Sequence, residues 1–273
     1  MRNDSKGRKS GFKPSTGATR RGQHRPAPSR EDAAGWIWGW HAVEAALKNP
    51  DRPRPEGIWA TEERAKMIAA IRPAWKVELA DNQEIARRLP QGASHQGACL
   101  RTPPLEGVSL ADISEPAQGI ILVLDQVTDP QNVGAILRSA AAFGVKGVVM
   151  QDRHAPPLGG ALAKAAAGAL ELTPVVRAVN LSRALETLAE AGWISIGLDG
   201  EADALLGDSL DHLALVIVMG SEGEGLRRLV SEHCDILARI AMPGGFESLN
   251  VASAAAIALY AASVKVNARV SGE

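Results

Sequence analysis

The sequence predicts an α/β protein built on a mainly parallel β-sheet with helices on both faces. From residue 120 onward, short apolar segments alternate with helical patterns, and the strand candidates are continuously apolar. Ile120–Leu124 and Ala214–Met219 are the clearest examples. Unbroken apolar runs are typical of strands buried on both faces, and strand–helix alternation is typical of parallel sheets. We therefore expect a sheet buried between two layers of helices.

Composition divides the 273 residues into four parts. Residues 1–35 are rich in Gly, Ser, Pro, Lys and Arg and are predicted to be a disordered basic tail. Residues 36–105 are predicted to form a small α/β domain, and residues 106–118 a linker within a proline-containing stretch. Residues 119–273 are predicted to form the main domain. An apolar share of 45% supplies enough side chains for a sizeable core.

In the small domain the pattern predicts strands at 57–60, 76–79 and 98–101, and helices at 41–48, 62–71 and 82–89. Trp36, Trp38 and Trp40 alternate with other residues just before the first helix. Such spacing is typical of a strand face or of a base-stacking surface. We favour a third interpretation, in which these rings pack the first helix onto its domain.

In the main domain the pattern predicts five strands, at 120–124, 145–150, 193–198, 214–219 and 236–240. Helices are predicted at 132–143, 161–170, 182–191 and 226–234, followed by a terminal helix. The lead into that last helix is Met242–Asn250, with Gly244 and Gly245 forming a turn. Ser248 lies where an N-cap is expected. The Ala- and Ser-rich helix that follows would let other backbone segments approach closely.

The net charge of −1 conceals an uneven distribution. Residues 1–30 carry nine basic residues and one acidic residue, a net of +8, which leaves 21 basic and 30 acidic residues, a net of −9. A basic tail on an acidic body favours a polyanionic partner for the tail. A tail that only increases solubility, or that derives from expression, is an equally good interpretation.

Cysteine usage and hydropathy indicate a cytoplasmic protein. Cys99 and Cys234 lie far apart without metal-ligand or redox spacing, as expected of buried thiols in a reducing compartment. No apolar run is predicted to approach the length of a membrane span, and the N-terminus lacks the apolar core of a secretory signal. Since the N-terminus is rich in Arg and poor in acids, an organelle transit peptide stays open.

Two polar, glycine-containing loops follow strongly buried strands, at 125–134 and 220–225. Ligands of parallel α/β sheets gather at the carboxyl ends of the strands, where these loops are predicted to lie. Gly223-Glu224-Gly225 begins a dinucleotide fingerprint, but Arg228 occupies the third glycine position, which argues against a NAD site. Glu222 and Glu224 have no further ligands at metal-binding spacing, so no metal is predicted.

Three segments together resemble the SpoU (TrmH-type) family of RNA ribose 2'-O-methyltransferases, a branch of the SPOUT superfamily. They are DPQNVGAILRSA at 129–140, VMGSEGEG at 218–225 and SLNVA at 248–252, in the family's order and spacing. KAAAGALE at 164–171 is similar to the family's stretch between the first two motifs. In the small domain, Gly39-x-His41-Ala42-Val43 and His95-Gln96-Gly97 resemble the family's RNA-binding domain. Gly245-Phe246-Glu247 departs from many relatives.

The resemblance implies a C-terminal trefoil knot that binds S-adenosyl-L-methionine, and a homodimer. It also implies methyl transfer to the ribose 2'-OH of a guanosine in 23S rRNA. Cofactor contacts fall by family position on Gly220, Ile240, Met242 and Leu249. The family's residues around the reacting centre match Asn132, Arg138, Glu222, Ser248 and Asn250.

For Arg138, the resemblance implies a role at the reacting centre. Because Arg keeps its proton in proteins, we expect it to grip an RNA phosphate and to stabilise charge on the 2'-oxygen rather than to act as a base. The alternative is an ordinary surface ion pair. Glu222 is expected to orient either Arg138 or Asn132.

Two other functions stay open at the sequence level. One is a tRNA-directed or resistance-type enzyme of the same family. The other is an RNA-binding ribosome-assembly factor without catalytic activity, although the matches to all five reacting-centre residues argue against it.

Overall fold

The computed structural model describes Met1, residues 33–245 and residues 248–271. The predicted disordered tail, residues 1–35, therefore lies almost wholly outside the described residues. So do Phe246 and Glu247, where the sequence departs from many relatives. The described residues contain two β-sheets, one of four strands and one of seven.

The four-stranded sheet has the order β1-β4-β2-β3, with β4 antiparallel to both β1 and β2, and β2 parallel to β3. Its strands are β1 (Trp36–Trp38), β2 (Gly57–Ala60), β3 (Glu78–Leu79) and β4 (Ala98–Arg101). Its helices are α1 (Trp40–Lys48), α2 (Glu62–Ile71) and α3 (Asn82–Ala86). The predicted order of elements is confirmed, whereas β3 and α3 are shorter than predicted.

The three alternating tryptophans are packing residues. Trp36, Trp38 and Trp40 are only 7%, 5% and 8% exposed, so their faces are covered by protein. Trp36 and Trp38 belong to β1, and Trp40 opens α1. Trp36 and Trp38 thus form a strand face that packs in a cluster without α1, and only Trp40 packs the first helix onto its domain. The strand-face interpretation is confirmed for the first two rings, the favoured helix-packing interpretation holds for Trp40 alone, and a base-stacking surface built from these rings is wrong.

The seven-stranded sheet is parallel throughout, which confirms the predicted sheet type. Its order is β7-β6-β5-β10-β8-β11-β9. Its strands are β5 (Gly119–Leu124), β6 (Gly147–Gln151), β7 (Val175–Ala178), β8 (Ile194–Leu198), β9 (Ala204–Leu205), β10 (Ala214–Met219) and β11 (Ile236–Arg239). The sequence analysis did not predict the two edge strands, β7 and β9.

Helices cover both faces of this sheet. They are α4 (Leu110–Ser114), α5 (Pro130–Ala142), α6 (Gly160–Ala166), a 3₁₀ turn (Ala169–Glu171), α7 (Leu181–Glu190), α8 (Leu206–Ser209), α9 (Arg228–Glu232) and α10 (Val251–Ser271). One face of the sheet packs against α5, α6 and α10, and the other face packs against α4, α7 and α9. Along β5 the side chains alternate between the two faces, which is why the strand is apolar at every position.

The predicted linker at 106–118 is structured. It contains α4, whose start is closed by a capping box between Ser109 and Asp112. Ile113 is 2% exposed, and Trp193 donates from Nε1 to the carbonyl of Ser114 at 2.8 Å. The segment is therefore part of the helical layer, and the Ser-x-x-Asp capping signal was available in the sequence.

Helix α10 corrects another expectation. Val251–Val270 is long and apolar enough to span a membrane by length and composition, with a mean hydropathy of 1.4, so the statement that no run approaches that length is wrong. In the fold, one face of this helix packs on the sheet through Ala255, Ala258 and Leu259, all fully buried. The small side chains let the helix lie close to β5, β10 and α5.

The two sheets share one hydrophobic core, and a buried ion pair joins their domains. Arg52 and Glu171 have side chains that are 1% and 3% exposed, and Arg52 Nη2 lies 2.5 Å from Glu171 Oε1. Arg52 also donates to the carbonyl of Pro103 at 2.9 Å, and Asn49 Nδ2 donates to Glu171 Oε2 at 2.8 Å. These additional hydrogen bonds satisfy charges that would be costly to bury as a bare pair.

We predict that Glu171→Ala lowers the free energy of unfolding by about 3–5 kcal/mol, because it leaves the buried Arg52 guanidinium without its counter-ion. Urea denaturation measures the change. Glu62→Ala is the matched control, because Glu62 pairs with Lys66 at a site where both side chains are more than 70% exposed. Equal stability of the two variants would show that the Arg52–Glu171 pair is not buried in solution.

Candidate functional site

The first loop of the site leads from β5 into α5. Asp129 is the N-cap of α5, and its carboxylate accepts from the backbone N–H of Gln131 at 3.2 Å and of Asn132 at 3.4 Å. Pro130 occupies the first turn, where a missing N–H costs nothing. These residues start the helix at a defined place, with Asn132 in its first turn and Arg138 almost two turns further on.

The second loop, residues 220–225, is closed on itself. Ser221 and Gly225 exchange two backbone hydrogen bonds of 3.1 Å each, and Gly223 and Gly225 have φ of +89° and +67°. A Cβ at Gly220 would lie 2.0 Å from the carbonyl carbon of Gly225, so only glycine fits there. This tight closure projects Glu222 away from the end of β10.

The three predicted motifs meet at the Glu222 carboxylate. Its Oε1 accepts from Asn250 Nδ2 at 2.6 Å, from the backbone N–H of Val251 at 3.1 Å and from Asn132 Nδ2 at 3.3 Å. Asn250 Nδ2 also donates to Asn132 Oδ1 at 3.1 Å. We call Asn132, Glu222 and Asn250 the polar triad. Glu222 contacts Asn132 in this arrangement, which decides between the two partners expected for it.

Asn250 begins the last helix. Its Oδ1 accepts from the backbone N–H groups of Ala252 at 3.0 Å and of Ser253 at 3.3 Å, which is N-cap geometry. The expectation that Ser248 is the N-cap is wrong, since the helix starts at Val251 and Ser248 precedes the cap by two residues. Because Oδ1 faces the helix, Nδ2 must face Glu222, so the cap also fixes the triad.

A buried carboxylate at the end of β5 anchors the second loop. Asp125 is fully buried at the end of β5, and its oxygens accept from the Arg227 backbone N–H at 2.9 Å and from Arg227 Nε at 2.7 Å. Arg227 directly follows the loop, so this pair holds the loop's exit against β5. The sequence analysis did not assign this pair. An acid directly after a continuously apolar strand was the available signal.

A cavity of about 650 Å³ lies beside the triad, within the size range of small-molecule sites. All four residues predicted to contact a cofactor line it, namely Gly220, Ile240, Met242 and Leu249. Glu222 and Ser248 also reach its wall. The sequence analysis missed Asp199, Gly200 and Glu201, which follow β8 and line the same cavity. The sequence signal was a polar, glycine-containing turn after a strand. It points to this cavity only once β8 is known to lie beside β10 in the sheet.

Arg138 and Ser248 lie outside the triad's hydrogen bonds. Arg138 is exposed on α5, six residues or about 9 Å along the helix axis from Asn132. Ser248 is exposed at the wall of the cavity. Of the five residues predicted around the reacting centre, the structure thus joins three and leaves these two with exposed side chains nearby.

Within residues 33–245 and 248–271, no group of three or more His, Cys, Asp or Glu side chains is arranged to hold a metal ion. Burial raises the pKa of the Cys99 thiol to about 12, and burial together with Asp235 and Asp125 raises the pKa of the Cys234 thiol to about 12. Cys99 is buried as predicted, whereas Cys234 is only half-buried.

Two family models match the chain along the division seen in the fold. The model described as the SpoU rRNA methylase family matches residues 119–260, the seven-stranded unit and the N-terminal part of α10. The chain belongs to the SpoU rRNA methylase family. A second model, RNA 2'-O ribose methyltransferase substrate binding, matches residues 36–108, the four-stranded unit.

Curated relatives and solved structures agree with this membership. An uncharacterized tRNA/rRNA methyltransferase of Synechocystis is 40% identical over 244 residues, covering 84% of this chain and 62% of that protein, so the chain spans less than two thirds of that relative's length. The 23S rRNA (guanosine-2'-O-)-methyltransferase RlmB of Escherichia coli is 39% identical over 235 residues, covering 83% and 96%. The SpoU methyltransferase AviRb of Streptomyces viridochromogenes, solved with the cofactor AdoMet, has a TM-score of 0.71 at 23% identity, covers 90% and 96% of the two chains, and shows the shared fold.

For this SpoU-family chain we predict that Asn250→Ala lowers the free energy of unfolding by about 1 kcal/mol, the usual cost of losing an N-cap. Hydrogen exchange should accelerate at the amides of Ala252 and Ser253, whose acceptor is removed. Ser248→Ala is the control and should leave both quantities unchanged. Slower exchange at those amides in Asn250→Ala than in Ser248→Ala would contradict the assigned cap.

Proposed function

We propose that the chain transfers a methyl group from S-adenosyl-L-methionine to the ribose 2'-OH of a guanosine in 23S rRNA. The observation that carries this proposal is the position of the polar triad beside a cavity lined by all four predicted cofactor residues. Its support is family membership and the relatives named for 23S rRNA guanosine methylation, one of which is 39% identical over 235 residues.

The cavity's residues fit this cofactor. Leu198, Ile240 and Leu249 supply apolar surface for an adenine ring, and the glycine-rich loop 220–225 exposes backbone groups that can bind its edge. Asp199 and Glu201 supply carboxylates suited to ribose hydroxyls and to a positively charged ligand. When bound, S-adenosyl-L-methionine supplies an electrophilic methyl group on a sulfonium.

The triad is proposed to organise the reacting centre. Asn132 and Asn250 exchange one hydrogen bond with each other and share the Glu222 oxygen, so the three side chains hold one arrangement before any substrate arrives. A ribose hydroxyl is a poor nucleophile, and fixed orientation of both reactants supplies much of the acceleration of such a transfer. Ser248, at the cavity wall, is proposed to contact the substrates there.

Arg138 is proposed to bind the RNA at this centre. Its guanidinium is exposed, and it forms no hydrogen bond or ion pair within residues 33–245 and 248–271. A planar, permanently charged fork suits a phosphate, and it stabilises negative charge that develops on a nearby oxygen. The uncommitted donors of Arg138 favour this role over the alternative of a surface ion pair.

A trefoil knot at the C-terminus is also proposed. β11 lies beyond β8 in the sheet, yet α10, which follows it, packs on β5, β10 and α5. The chain must therefore cross back along the carboxyl edge of the sheet, past the loop 220–225. An experimental structure whose backbone closes without a knot would remove this proposal.

RNA binding by the front of the chain is proposed for residues 36–105, with 119–273 as the catalytic domain and 106–118 as the connection between them. The substrate-binding family model over residues 36–108 supports it. The basic tail is proposed to add phosphate contacts, in which case deleting residues 1–30 should flatten the salt dependence of RNA binding. A cytoplasmic location follows from this substrate.

A homodimer is proposed to form through α10. Ile257, Tyr260 and Val264 are 43%, 59% and 50% exposed, and they share one face of the helix, opposite the buried Ala258 and Ala262. The Tyr260 ring packs against Phe143 at the end of α5, with ring centroids 5.8 Å apart. A contiguous exposed apolar stripe is typical of an interface, and a second copy would cover it symmetrically.

Two measurements test the proposed function directly. Isothermal titration should show binding of S-adenosyl-L-methionine to the full chain. Transcribed 23S rRNA should then acquire a 2'-O-methyl group on one guanosine, while a tRNA mixture should not. Cofactor binding with methylation of tRNA alone would favour the tRNA-directed alternative, and RNA binding without any methylation would favour the non-catalytic one.

We predict that Arg138→Ala lowers the single-turnover rate of methyl transfer about a hundredfold or more at saturating RNA, the scale of losing a charge-stabilising donor. Arg138→Lys should recover only part of the rate, since an ammonium lacks the planar fork. Arg183→Ala, at an exposed arginine of α7 on the other face of the sheet, is the control. Cofactor affinity should stay unchanged in all three variants. A near wild-type rate for Arg138→Ala would leave Arg138 without the proposed role.

We predict that Ile257→Asp combined with Val264→Asp converts a dimer into the 28.7 kDa monomer, because two carboxylates would be buried unpaired at the interface. Light scattering coupled to gel filtration measures the mass. Val179→Asp, at an apolar residue 81% exposed outside α10, should keep the dimer mass. A monomeric wild-type chain, or a doubly substituted dimer, would remove α10 as the interface.

A further inference from the structure

A second cleft, separate from the cofactor cavity, opens on the four-stranded domain. Its volume is about 730 Å³, and it lies between the start of α2 and the turn His95–Gly97. We call it the Gln96 cleft. It shares no lining residue with the cavity beside the polar triad. Every residue of its lining belongs to the four-stranded domain, and one of them, Gln96, accepts a hydrogen bond from Lys164 of α6 in the methylase domain.

The carboxamide of Gln96 is held in one orientation. Its Oε1 accepts from the backbone N–H of Trp40 at 2.9 Å and from Lys164 Nζ at 3.0 Å. Both partners can only donate, so the oxygen must face them and the Nε2 amide group must face away. Within the part of the chain that the structure describes, Nε2 donates to no protein atom. Two fixed N–H donors are therefore left free.

The backbone at Gln96 is also unusual. Its φ of +54° lies in the left-handed region, which side-chain-bearing residues rarely adopt. Such a conformation persists only where the surroundings impose it, and it is concentrated at functional sites. Here it is imposed by hydrogen bonds from Arg64 Nε to the Gln96 carbonyl at 3.2 Å and from Thr61 N to the Gly97 carbonyl at 2.9 Å. These two bonds therefore hold the turn that carries Gln96.

Neighbouring side chains add both donors and acceptors. His95 Nδ1 accepts from the Gly97 N–H at 3.2 Å, which leaves Nε2 as the donor of the ring. Burial lowers the pKa of His95. The Arg64 guanidinium stacks on the buried Trp40 ring, 4.5 Å from the ring centroid, and this contact holds the guanidinium plane in place. Glu62 and Glu63 contribute carboxylate acceptors to the lining.

We propose that the Gln96 cleft binds an unpaired nucleobase of the substrate RNA, at a nucleotide other than the one that is methylated. This inference rests on the proposed function. Base edges carry donors and acceptors together, as this lining does, and single-stranded bases are read by such edges while they stack on arginine planes or aromatic rings. The lining carries two carboxylates and two cations, and Glu62 pairs with Lys66, so its charge is balanced. A balanced lining favours an uncharged base over a backbone phosphate. The base is assigned to a nucleotide other than the methylated one because the cleft shares no lining residue with the cofactor cavity.

Gln96→Glu tests this inference with the least change in shape. A glutamate keeps an oxygen for Trp40 and Lys164, replaces the two N–H donors by a second carboxylate oxygen and adds one negative charge. We expect the Kd and the KM for the substrate fragment of 23S rRNA to rise about tenfold or more, within the range for losing a paired base contact. The kcat at saturating RNA and the affinity for the cofactor should stay unchanged.

Gln91→Glu is the matched control. It makes the same charge change at an exposed residue of the same domain, outside the cleft. If Gln96 served only to latch the domains together, Gln96→Glu would behave like Gln91→Glu, and that result would overturn the proposal. The proposed function fails differently, since then the wild-type chain itself would methylate no rRNA.

Abasic substitution in the RNA identifies the contacted group. Single abasic sites are placed at each unpaired position of the fragment. At one position the abasic site should lower the affinity of the wild-type chain about tenfold. The same site should not lower the affinity of Gln96→Glu further, because that variant already lacks the contact. Equal losses for both proteins at every position, with a smaller salt dependence in Gln96→Glu, would identify a phosphate contact and overturn base binding.

Discussion

The site depends on one carboxylate oxygen. Glu222 Oε1 accepts from Asn132, Asn250 and the Val251 backbone, so it joins two segments that lie 118 residues apart in the sequence. Each donor belongs to the first turn of a helix, so the oxygen also complements the positive ends of α5 and α10. Without that oxygen, the triad would keep only the hydrogen bond between Asn250 Nδ2 and Asn132 Oδ1. The hydrogen bonds of the triad therefore set the geometry of the rim at which we place the reaction.

Glu222 can hold this position only because its loop is rigid. The loop is closed by the Ser221–Gly225 hydrogen bonds, by the close approach at Gly220 and by the Asp125–Arg227 pair at its exit. The Asp125 side chain is fully buried, whereas the Arg227 side chain is 39% exposed. The buried carboxylate accepts hydrogen bonds from both the backbone and the side chain of Arg227, and these bonds offset the cost of burying its charge. A stiff loop with an exposed carboxylate at its tip is preorganised without being enclosed, which suits a large substrate.

The sequence predicted the strands and the ligand loops well where the signal was local. Continuous apolar runs located β5, β6, β8, β10 and β11, but β7 and β9 were missed, since edge strands are short and partly exposed and lack that pattern. The motif resemblance located the triad residues, whereas the N-cap was misplaced from Asn250 to Ser248, because both residue types cap helices and spacing alone cannot choose. Asp199 and Glu201 were out of reach, since their place in the cavity follows from strand order, which no local pattern contains.

The docking of the two domains constrains how RNA can be read. The buried Arg52–Glu171 pair and the Gln96–Lys164 contact join the domains at separate places, and the hydrophobic core continues between them. Two such attachments oppose rotation about either one, so the Gln96 cleft and the polar triad keep a fixed separation. A substrate with one base in the cleft can then bring only nucleotides at a set distance to the triad. Specificity for one guanosine would arise from that spacing together with the folded shape of the RNA, and the triad itself would need no contact with base edges.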